Sequence, residues 1–281
     1  MILQDLMLSL RQRLSDVPSD DVMRDLRILA AHALGIEPSR MTLHMHDQVS
    51  DDVRARLETL VQARARCTPI SKIIQKRQFW GRSFAVDLNV LDPRGDTETL
   101  IAACLELGPQ ARVLDLGTGS GAIGLTLAAE WPGAKVVCTD ISERALAVAR
   151  SNMKAIEVEK TVTLIRSDWF ETVSGQFDLI VSNPPYIALE EWIDLDVEVR
   201  EFDPRIALTD EGDGLGAYRV LSAQAGAHLR DGARLIVEIG HQQGAAVQQL
   251  FEENGFTEIQ CLQDMAGRDR VVCGIWAQKP R

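Results

Sequence analysis

From residue 93 onward, short apolar runs alternate with helical stretches, and this alternation limits the fold more than any other feature of the chain. The helical stretches include Ser142–Lys154, in which apolar residues recur at three- and four-residue spacing. Strands that alternate with helices predict an α/β fold with an open, mostly parallel sheet and helices on both faces. We expect the last strand to be antiparallel. Open α/β sheets bind ligands beyond the carboxyl ends of their parallel strands. The runs predicted as strands are Arg112–Leu116, Lys135–Thr139, Val162–Ile165, Phe177–Ser182, Arg234–Ile239, Thr257–Leu262 and Val271–Trp276.

The chain before residue 76 has a purely helical pattern. Apolar residues there recur every three or four positions. Gly35 is placed to end the second helix and Ser50 to begin a later one, and Pro69 ends the pattern. Residues 76–92 mix aromatic and β-branched residues with Gly81, which predicts a short hairpin. We therefore predict a small helical domain over residues 1–75, a β-hairpin linker over residues 76–92 and a larger α/β domain over residues 93–281.

Charge and cysteine content exclude several classes of protein. The 281-residue chain has a formal net charge of −11, whereas a protein that wraps nucleic acid non-specifically needs a basic surface. Its five cysteines form no C-x-x-C pair, so we expect neither a disulfide framework nor a zinc site, and His44 and His46 lack a third ligand. Asp5 interrupts the apolar start of the chain, and no window reaches about 18 apolar residues. A cytoplasmic protein without an export signal or a membrane span is expected.

The first predicted strand of the larger domain ends in the glycine-rich sequence VLDLGTGSGAIG. Glycines let the backbone turn tightly and approach a ligand, and the amides of the helix that follows face the same place. Two ligand classes compete, because Gly119, Gly121 and Gly124 also match the G-x-G-x-x-G of dinucleotide sites. Asp115 at the strand end would repel a pyrophosphate, but it suits a ligand with an ammonium and a sulfonium, such as S-adenosylmethionine. A structural turn in which Asp115 caps a helix is the third interpretation. The residues predicted to bind S-adenosylmethionine at this loop are Asp115, Gly117, Thr118, Gly119, Ser120 and Gly121.

Acidic residues also follow the next two predicted strands. Asp140 lies about twenty residues beyond the glycines, where a carboxylate can accept hydrogen bonds from ribose hydroxyls. Asp168 and Trp169 follow the third strand, where the carboxylate can accept from an adenine amino group and the ring can cover the base. Each acidic residue alone is compatible with a helix cap, but acidic strand ends in succession favour a nucleoside pocket. We predict that Asp140, Ile141, Asp168 and Trp169 form it.

The fourth predicted strand runs directly into Asn183-Pro184-Pro185-Tyr186. Asn-Pro often marks a turn, but a chance match to this tetrapeptide in such a chain has odds on the order of one in a thousand. The prolines fix their φ angles, so the Asn183 side-chain oxygen and the Pro184 carbonyl can form a rigid pair of acceptors for an NH2 group. Tyr186 offers a ring face to a planar group or a cationic methyl. These residues would aim a weakly nucleophilic nitrogen at a sulfonium methyl, and positioning would supply most of the rate.

In the order LDLGTGSGAIG, TDIS, SDWF, IVSNPPYI, REFDPRIAL and DGLGAYR, the sequence resembles the HemK/PrmC family of class I methyltransferases. The resemblance covers nearly the whole chain, including FWGRSF, VLDPRGDTE, LIVEIGHQQG and DMAGRDRVV. It implies a Rossmann-like, seven-stranded class I methyltransferase sheet with a small N-terminal helical domain for substrate recognition. It further implies that the glycine loop and Asp140 hold S-adenosylmethionine, and that Asp168 and Trp169 meet the adenine. Substrate-side residues implied by the resemblance are Asn183, Pro184, Pro185, Tyr186, Arg94, Thr97 and Glu98.

The chain departs from the family pattern on the hinge and substrate side. The glycine loop and the Asn-Pro-Pro-Tyr sequence are intact, so the departures bear on domain docking and substrate fit. Lys72 and Gln75 replace a tyrosine and a glycine, Asp92 and Gly95 replace an isoleucine and a proline, and Asp203 replaces a glutamate. Glu238, at a strand end near Gly240, is compatible with a pocket lining or a polar turn and receives no role.

Together with these residues, the resemblance implies an enzyme that transfers a methyl group from S-adenosylmethionine to the side-chain amide nitrogen of the glutamine in the GGQ motif of peptide-chain release factors. S-adenosylhomocysteine is the other product. A ribosomal-protein glutamine methyltransferase and an adenine-amino methyltransferase on DNA or RNA remain open as alternatives. A pair of acceptors that holds an amide NH2 group also fits the amino group of a flipped base. A sensor or assembly factor that binds S-adenosylmethionine would need the pocket but not Asn183. We expect a monomer whose partners are release factors, with no metal, no membrane association and no stable nucleic-acid binding.

Overall fold

The computed structural model describes residues 1–17, 19 and 21–278. The chain forms two compact units. The first comprises Met1–Lys76 together with Asp196–Phe202, and the second comprises Arg77–Leu195 together with the residues from Asp203 onward.

Helices and strands follow the chain in the order below. The α-helices are α1 Leu3–Arg11, α2 Val22–Leu34, α3 Met41–His44, α4 Asp51–Arg64, α5 Ile70–Ile74, α6 Glu98–Glu106, α7 Ala122–Glu130, α8 Glu143–Ile156, α9 Val197–Phe202, α10 Gly216–His228 and α11 Gly244–Glu253. The strands are β1 Lys76–Phe79, β2 Arg82–Ala85, β3 Arg112–Leu116, β4 Lys135–Asp140, β5 Val162–Arg166, β6 Phe177–Ser182, β7 Leu229–Glu238, β8 Phe256–Gln263 and β9 Asp269–Trp276. Short 3-10 helices lie at Gln12–Leu14, Pro38–Arg40, Gly95–Thr97, Leu189–Asp194 and Arg205–Ala207.

Capping residues set the helix ends in the first unit. The Asp21 carboxylate accepts a hydrogen bond from the Arg24 backbone N–H (3.0 Å) and begins α2, and Gly35, with a φ of 70°, ends it. The Ser50 hydroxyl accepts from the Val53 N–H (3.4 Å) at the start of α4, as predicted. The apolar faces of α1, α2 and α4 form the core of this unit, which includes Leu3, Leu6, Met7, Leu10, Leu26, Leu29, Leu57 and Val61.

A buried arginine joins α9 to the other helices of the first unit. The Arg64 side chain on α4 is only 4% exposed. It donates to Asp25 on α2 (2.9 Å) and to Glu198 on α9 (2.5 Å). Loss of a partner would leave a buried charge without compensation, which is strongly destabilising. This network explains why α9 belongs to the helical unit although it is distant in sequence.

Gln75 ends α5 in the left-handed conformation, with a φ of 53°. Glycine adopts this conformation without steric cost, whereas other residues lose about 1–2 kcal/mol. The chain thus has Gln75 where the family resemblance leads us to expect a glycine. It keeps the left-handed turn that glycine would adopt without steric cost.

The second unit contains a seven-stranded sheet in the order β5-β4-β3-β6-β7-β9-β8. Strands β5, β4, β3, β6 and β7 pair in parallel, while β9 is antiparallel to both of its neighbours. The expected mostly parallel sheet with an antiparallel last strand is confirmed. The order reverses direction at β3, between β4 and β6, which is where open α/β sheets bind ligands.

Strand register brings the predicted site residues to one edge of the sheet. Leu116 at the end of β3 pairs with Thr139 on β4 and with Ser182 on β6. The glycine loop, Asp140 and Asn183 therefore leave the sheet side by side. A close packing of α7 on this sheet depends on Gly124, because an added Cβ would lie 2.4 Å from the Cys138 sulfur.

Strand β7 begins at Leu229, five residues before the predicted start at Arg234. The sequence Arg230-Asp231-Gly232 has the composition of a turn, which is why the prediction started later. In the structure Gly232 has a φ of 76°, and the pairing of β7 with β6 shifts register across this segment. The strand continues through the irregularity and ends at Glu238.

Strands β1 and β2 form a separate two-stranded sheet, the hairpin expected within residues 76–92. Its turn is made by Trp80 and Gly81, both with positive φ angles (47° and 68°). Among the described residues, no helix has the length and apolar content needed to cross a membrane.

Candidate active site

The second unit encloses a cavity of about 750 Å³ at the carboxyl ends of the parallel strands. This volume lies within the range of small-molecule sites. The segments that follow β3, β5 and β6 and the end of β4 all contribute to its wall. Twelve of the predicted site residues line it: Gly117, Thr118, Gly119, Ser120, Asp140, Ile141, Asp168, Trp169, Asn183, Pro185, Arg94 and Thr97.

Five predicted site residues do not line the cavity: Asp115, Gly121, Pro184, Tyr186 and Glu98. Gly121 caps α7 with a φ of 86°, and Pro184 is buried. Glu98 accepts a hydrogen bond from the Trp80 N–H (2.8 Å) and so supports the β1–β2 turn. Asp115 and Glu98 thus both accept hydrogen bonds from the protein itself, and the ligand contacts predicted for them stay predictions.

Asp115 supports the glycine loop from inside the protein. Its side chain is fully buried, and Oδ2 accepts from the Thr118 hydroxyl (2.5 Å) and the Gly124 N–H (2.9 Å). Burial raises the pKa of Asp115 to about 6, although the two hydrogen bonds favour the charged form. The carboxylate thus holds both ends of the loop, from Thr118 to the first turn of α7.

Asp140 connects the glycine loop to α8. Oδ2 accepts from the Gly119 N–H and Oδ1 from the Ser142 N–H, each at 2.9 Å. Burial raises the pKa of Asp140, and these two backbone bonds oppose the shift. Each oxygen keeps a further lone pair, so the carboxylate can accept additional hydrogen bonds from a ligand in the cavity.

Trp169 and Ile141 give the same part of the cavity an apolar surface. A Cβ on Gly117 would lie 4.0 Å from the Trp169 ring, so the ring lies against the glycine loop. Trp169 has a φ of 44°, a left-handed conformation uncommon for a large residue. Ile141 is 42% exposed although it lines the cavity. Asp168, which is also exposed, adds a carboxylate at this edge.

The Asn183–Tyr186 segment is anchored at both ends. The Ser182 hydroxyl donates to the Leu116 carbonyl (2.7 Å) and joins the end of β6 to β3. The Gln243 side chain donates to the Tyr186 carbonyl (2.9 Å), and the Gln243 oxygen accepts from the Gly240 N–H (3.0 Å). Burial raises the pKa of Tyr186, so its phenol stays protonated.

Asn183 presents its side-chain amide asymmetrically. Nδ2 donates to the Thr97 hydroxyl (3.3 Å), whereas no described residue donates to Oδ1. Among the described residues, the Pro184 carbonyl likewise accepts no hydrogen bond. Two acceptors at the end of β6 are therefore available, one of them on a residue that lines the cavity.

Sequence reasoning missed Glu238, which lies at the end of β7 and is 1% exposed. Burial raises its pKa to about 7, and interactions with Thr97, Arg270 and Asn183 oppose the shift. Within the described part of the chain, Oε2 has no hydrogen-bond partner. The available signal was positional: β7 lies next to β6, so its carboxyl end had to approach Asn183.

A second loop that sequence reasoning did not include closes another side of the cavity. Asp210 lines the cavity and accepts from the N–H groups of Gly212 (2.9 Å), Gly214 (3.0 Å) and Gly216 (2.7 Å). These bonds organise the start of α10. Arg94 reaches the same cavity and forms an ion pair with Asp203 (2.6 Å), one of the departures from the family pattern.

Among the described residues, no group of three or more His, Cys, Asp or Glu side chains is placed to hold a metal ion. His44, one of the two histidines for which the sequence offers no third ligand, contacts the Asp47 carboxylate at 2.7 Å.

Two family models match the chain. The methyltransferase small domain matches residues 94–198, and the PrmC N-terminal domain matches residues 5–74. Among solved structures, a methyltransferase from Pyrococcus furiosus covers 77% of this chain and 98% of its own, with 19% identity and a TM-score of 0.52. The hMettl16 catalytic domain, solved in complex with MAT2A 3'UTR hairpin 6, covers 81% and 82% with 16% identity and a TM-score of 0.55. These two likenesses concern the fold.

Similarity to curated relatives extends over both units. A release factor glutamine methyltransferase from Cereibacter sphaeroides is 48% identical over 92% of this chain and 93% of its own length. Proteins of the same name from Neisseria gonorrhoeae (43% identity, 81% and 84% coverage) and Caulobacter vibrioides (38% identity, 94% and 93% coverage) also match. Because these relatives are 38–48% identical over more than four fifths of the chain, and two family models match residues 5–74 and 94–198, the chain belongs to the release factor glutamine methyltransferase family.

Proposed function

We propose that this enzyme transfers a methyl group from S-adenosylmethionine to the side-chain amide nitrogen of the glutamine in the GGQ motif of peptide-chain release factors. The observation that carries the proposal is the convergence of the glycine loop and Asn183 in one cavity. The first part suits a nucleoside-bearing donor, and the second suits a planar NH2 group. The names of the similar proteins supply the substrate class.

The residues present fit S-adenosylmethionine. Gly117 and Gly119 have positive φ angles (70° and 55°), and Cβ atoms there would meet no protein atom closer than 4.0 Å. These glycines thus leave room for a ligand against the backbone. Asp140 would accept from the ribose hydroxyls, and Ile141 and Trp169 would enclose the adenine beside Asp168. Bound there, the donor would supply an electrophilic methyl group on a positively charged sulfur.

Asn183 would orient the acceptor. A glutamine amide is planar and its lone pair is delocalised, so it is a weak nucleophile. Oδ1 of Asn183 and the Pro184 carbonyl would accept its two N–H bonds and aim the nitrogen into the cavity. Tyr186 and Pro185 would limit the position of the amide plane. Positioning of this kind can contribute several kcal/mol to the barrier reduction. The released proton passes to water, since no strong base is needed once the nitrogen is methylated.

The experiment is a transfer assay with labelled S-adenosylmethionine and three separate acceptors: a release factor, a ribosomal protein and a DNA duplex. We expect label on the release factor alone, and mass spectrometry should place it on the amide nitrogen of the GGQ glutamine. A release factor with that glutamine replaced by alanine is the matched control and should stay unlabelled. Label only on the ribosomal protein or on DNA would contradict the proposed substrate.

A further inference from the structure

Glu238 is a buried carboxylate that the transfer reaction described above does not use. Its side chain interacts with those of Thr97 and Asn183, and it does not line the cavity. We propose that Glu238 is a positioning residue: together with Thr97 it fixes the Asn183 carboxamide so that Oδ1, and not Nδ2, faces the acceptor amide. This inference rests on the proposed function, because it concerns how that acceptor is held.

The orientation of Asn183 decides whether the acceptor can bind. The two ends of a carboxamide have nearly the same shape, but the oxygen accepts hydrogen bonds and the NH2 group only donates. The glutamine NH2 is also a donor. A flipped Asn183 would therefore place donor against donor, and the grip on the nucleophile would be lost.

Thr97 and Glu238 select one orientation of the Asn183 carboxamide because both accept hydrogen bonds on the side where Nδ2 lies. The Thr97 hydroxyl, 3% exposed, accepts from Asn183 Nδ2 at 3.3 Å. Its own proton must then point to another acceptor, and Glu238 is the neighbouring carboxylate whose charged form Thr97 and Asn183 both stabilise. An ionised carboxylate accepts but cannot donate. A flipped Asn183 would direct its oxygen at acceptors and leave Nδ2 in the cavity.

Protonation of Glu238 removes this selection. A neutral carboxyl can donate to Thr97, whose hydroxyl can then donate to Asn183, which would favour the flipped carboxamide. The pKa of Glu238 is raised by burial to about 7, so both states occur near neutral pH.

Charged and titratable groups from several elements influence Glu238. Arg270 on β9 favours its charged form, while Asp96 in the Gly95–Thr97 helix opposes it. Arg270 is itself paired with Asp96 (3.1 Å) and Asp264 (3.4 Å), so its charge is shared. Two phenols also lie close to Glu238: Tyr186 after β6, and Tyr218 on α10, whose hydroxyl donates to the Glu238 backbone carbonyl (2.9 Å).

The test compares the wild-type enzyme with Glu238→Gln across a range of about pH 5.5 to 9, at saturating donor. The measured quantities are the single-turnover rate of glutamine methylation, the KM for release factor and the Kd for S-adenosylhomocysteine. We expect the wild-type rate to rise with pH as Glu238 loses its proton near pH 7 and then to level off. Glu238→Gln should lose this rise and be about tenfold slower than the wild type at high pH, the size of one lost hydrogen bond to a charged group. Its Kd for S-adenosylhomocysteine should not change.

Asp178→Asn is the matched control. Asp178 is a partly buried carboxylate at the opposite end of β6, where it accepts from the Arg112 N–H (2.8 Å) and pairs with Arg230. Its replacement by the isosteric amide should leave the rate and the pH profile of the wild type unchanged. Thr97→Ser, which keeps the hydroxyl, should retain the Glu238-dependent rise, whereas Thr97→Val should lose it.

A Glu238→Gln enzyme with the wild-type rate at high pH, or with the wild-type pH rise, would overturn the inference. If this variant does not fold, the wild-type profile decides, since a flat rate across neutral pH contradicts a role for Glu238 ionisation. Failure of the proposed function has a different signature: the wild-type enzyme itself would put no methyl group on the release-factor glutamine.

Discussion

The two sides of the cavity are built from different parts of the chain. On the glycine-loop side most contacts involve the backbone, since the N–H groups of Gly119, Ser142 and Gly124 donate to the carboxylates of Asp140 and Asp115. Within the described residues, Oδ1 of the buried Asp115 has no hydrogen-bond partner. On the Asn183 side the contacts join side chains. There the Asn183–Thr97 hydrogen bond is long (3.3 Å). Within the described residues, Oε2 of Glu238 and Nε of Arg270 have no hydrogen-bond partner.

This difference suggests a division of labour. A pocket built mainly from backbone contacts depends little on side-chain rotamers, which suits a methyl donor common to many methyltransferases. An arrangement of side chains depends on rotamer and charge state, which suits the selection of one acceptor. Changes on the first side should therefore alter donor affinity, and changes on the second side should alter turnover.

The largest effect should come from Asn183→Ala. Loss of the carboxamide removes the main acceptor for the glutamine NH2, so we expect the single-turnover rate to fall about a hundred- to a thousandfold. The Kd for S-adenosylhomocysteine, measured by calorimetry, should stay near the wild-type value. Asn254→Ala removes a carboxamide that donates to Leu250 and Ser222, and it is the control, with wild-type turnover expected. An equal loss of donor affinity in Asn183→Ala would contradict the division between the two sides.

Gly119→Ala should act on the other side. Both Gly119 and Gly35 have positive φ angles (55° and 70°) and open space where a Cβ would point. Alanine at either position costs about 1–2 kcal/mol of stability, so both variants should unfold at a lower temperature than the wild type. Only Gly119→Ala displaces the loop that bonds Asp140, and its donor affinity should fall roughly tenfold. If Gly35→Ala weakened donor binding as much, the effect would report general destabilisation.

The third predicted effect concerns how stability depends on pH. The pKa of Glu238 is raised from 4.5 to about 7 in the folded protein, so its protonated form stabilises the fold. This contribution is complete below about pH 4.5 and is lost as the pH rises through about 7. From pH 5 to pH 8, urea unfolding should therefore show a loss of stability on the order of 1–3 kcal/mol that is absent from Glu238→Gln. Equal pH dependence of the two proteins would show that Glu238 is not held in this way.

Local patterns predicted the sheet well because each strand satisfies its own sequence requirements. Arg112–Leu116 and Phe177–Ser182 match β3 and β6 at both ends, since a glycine loop and a proline pair follow them directly. The predicted start of β7 was wrong because Asp231 and Gly232 are residues typical of turns, and the sheet accommodates them as an irregularity. Tertiary pairing overrode a correct local signal there.

Long-range contacts limited the prediction of the site. Motif spacing located the residues that follow the parallel strands, and most of them line the cavity. It could not show that Asp115 and Glu98 are engaged by Gly124 and Trp80, because those contacts depend on how the helix and the hairpin pack. Glu238 was passed over for the same reason: only strand order places it behind Asn183.

The most direct test of how Asn183 holds the glutamine amide is a crystal structure of the enzyme with S-adenosylhomocysteine and a release factor. We predict that the GGQ glutamine nitrogen lies about 2.8–3.2 Å from Oδ1 of Asn183, with Nδ2 still bonded to Thr97. A glutamine nitrogen beyond hydrogen-bond reach of Asn183, or held by another side chain, would contradict the account.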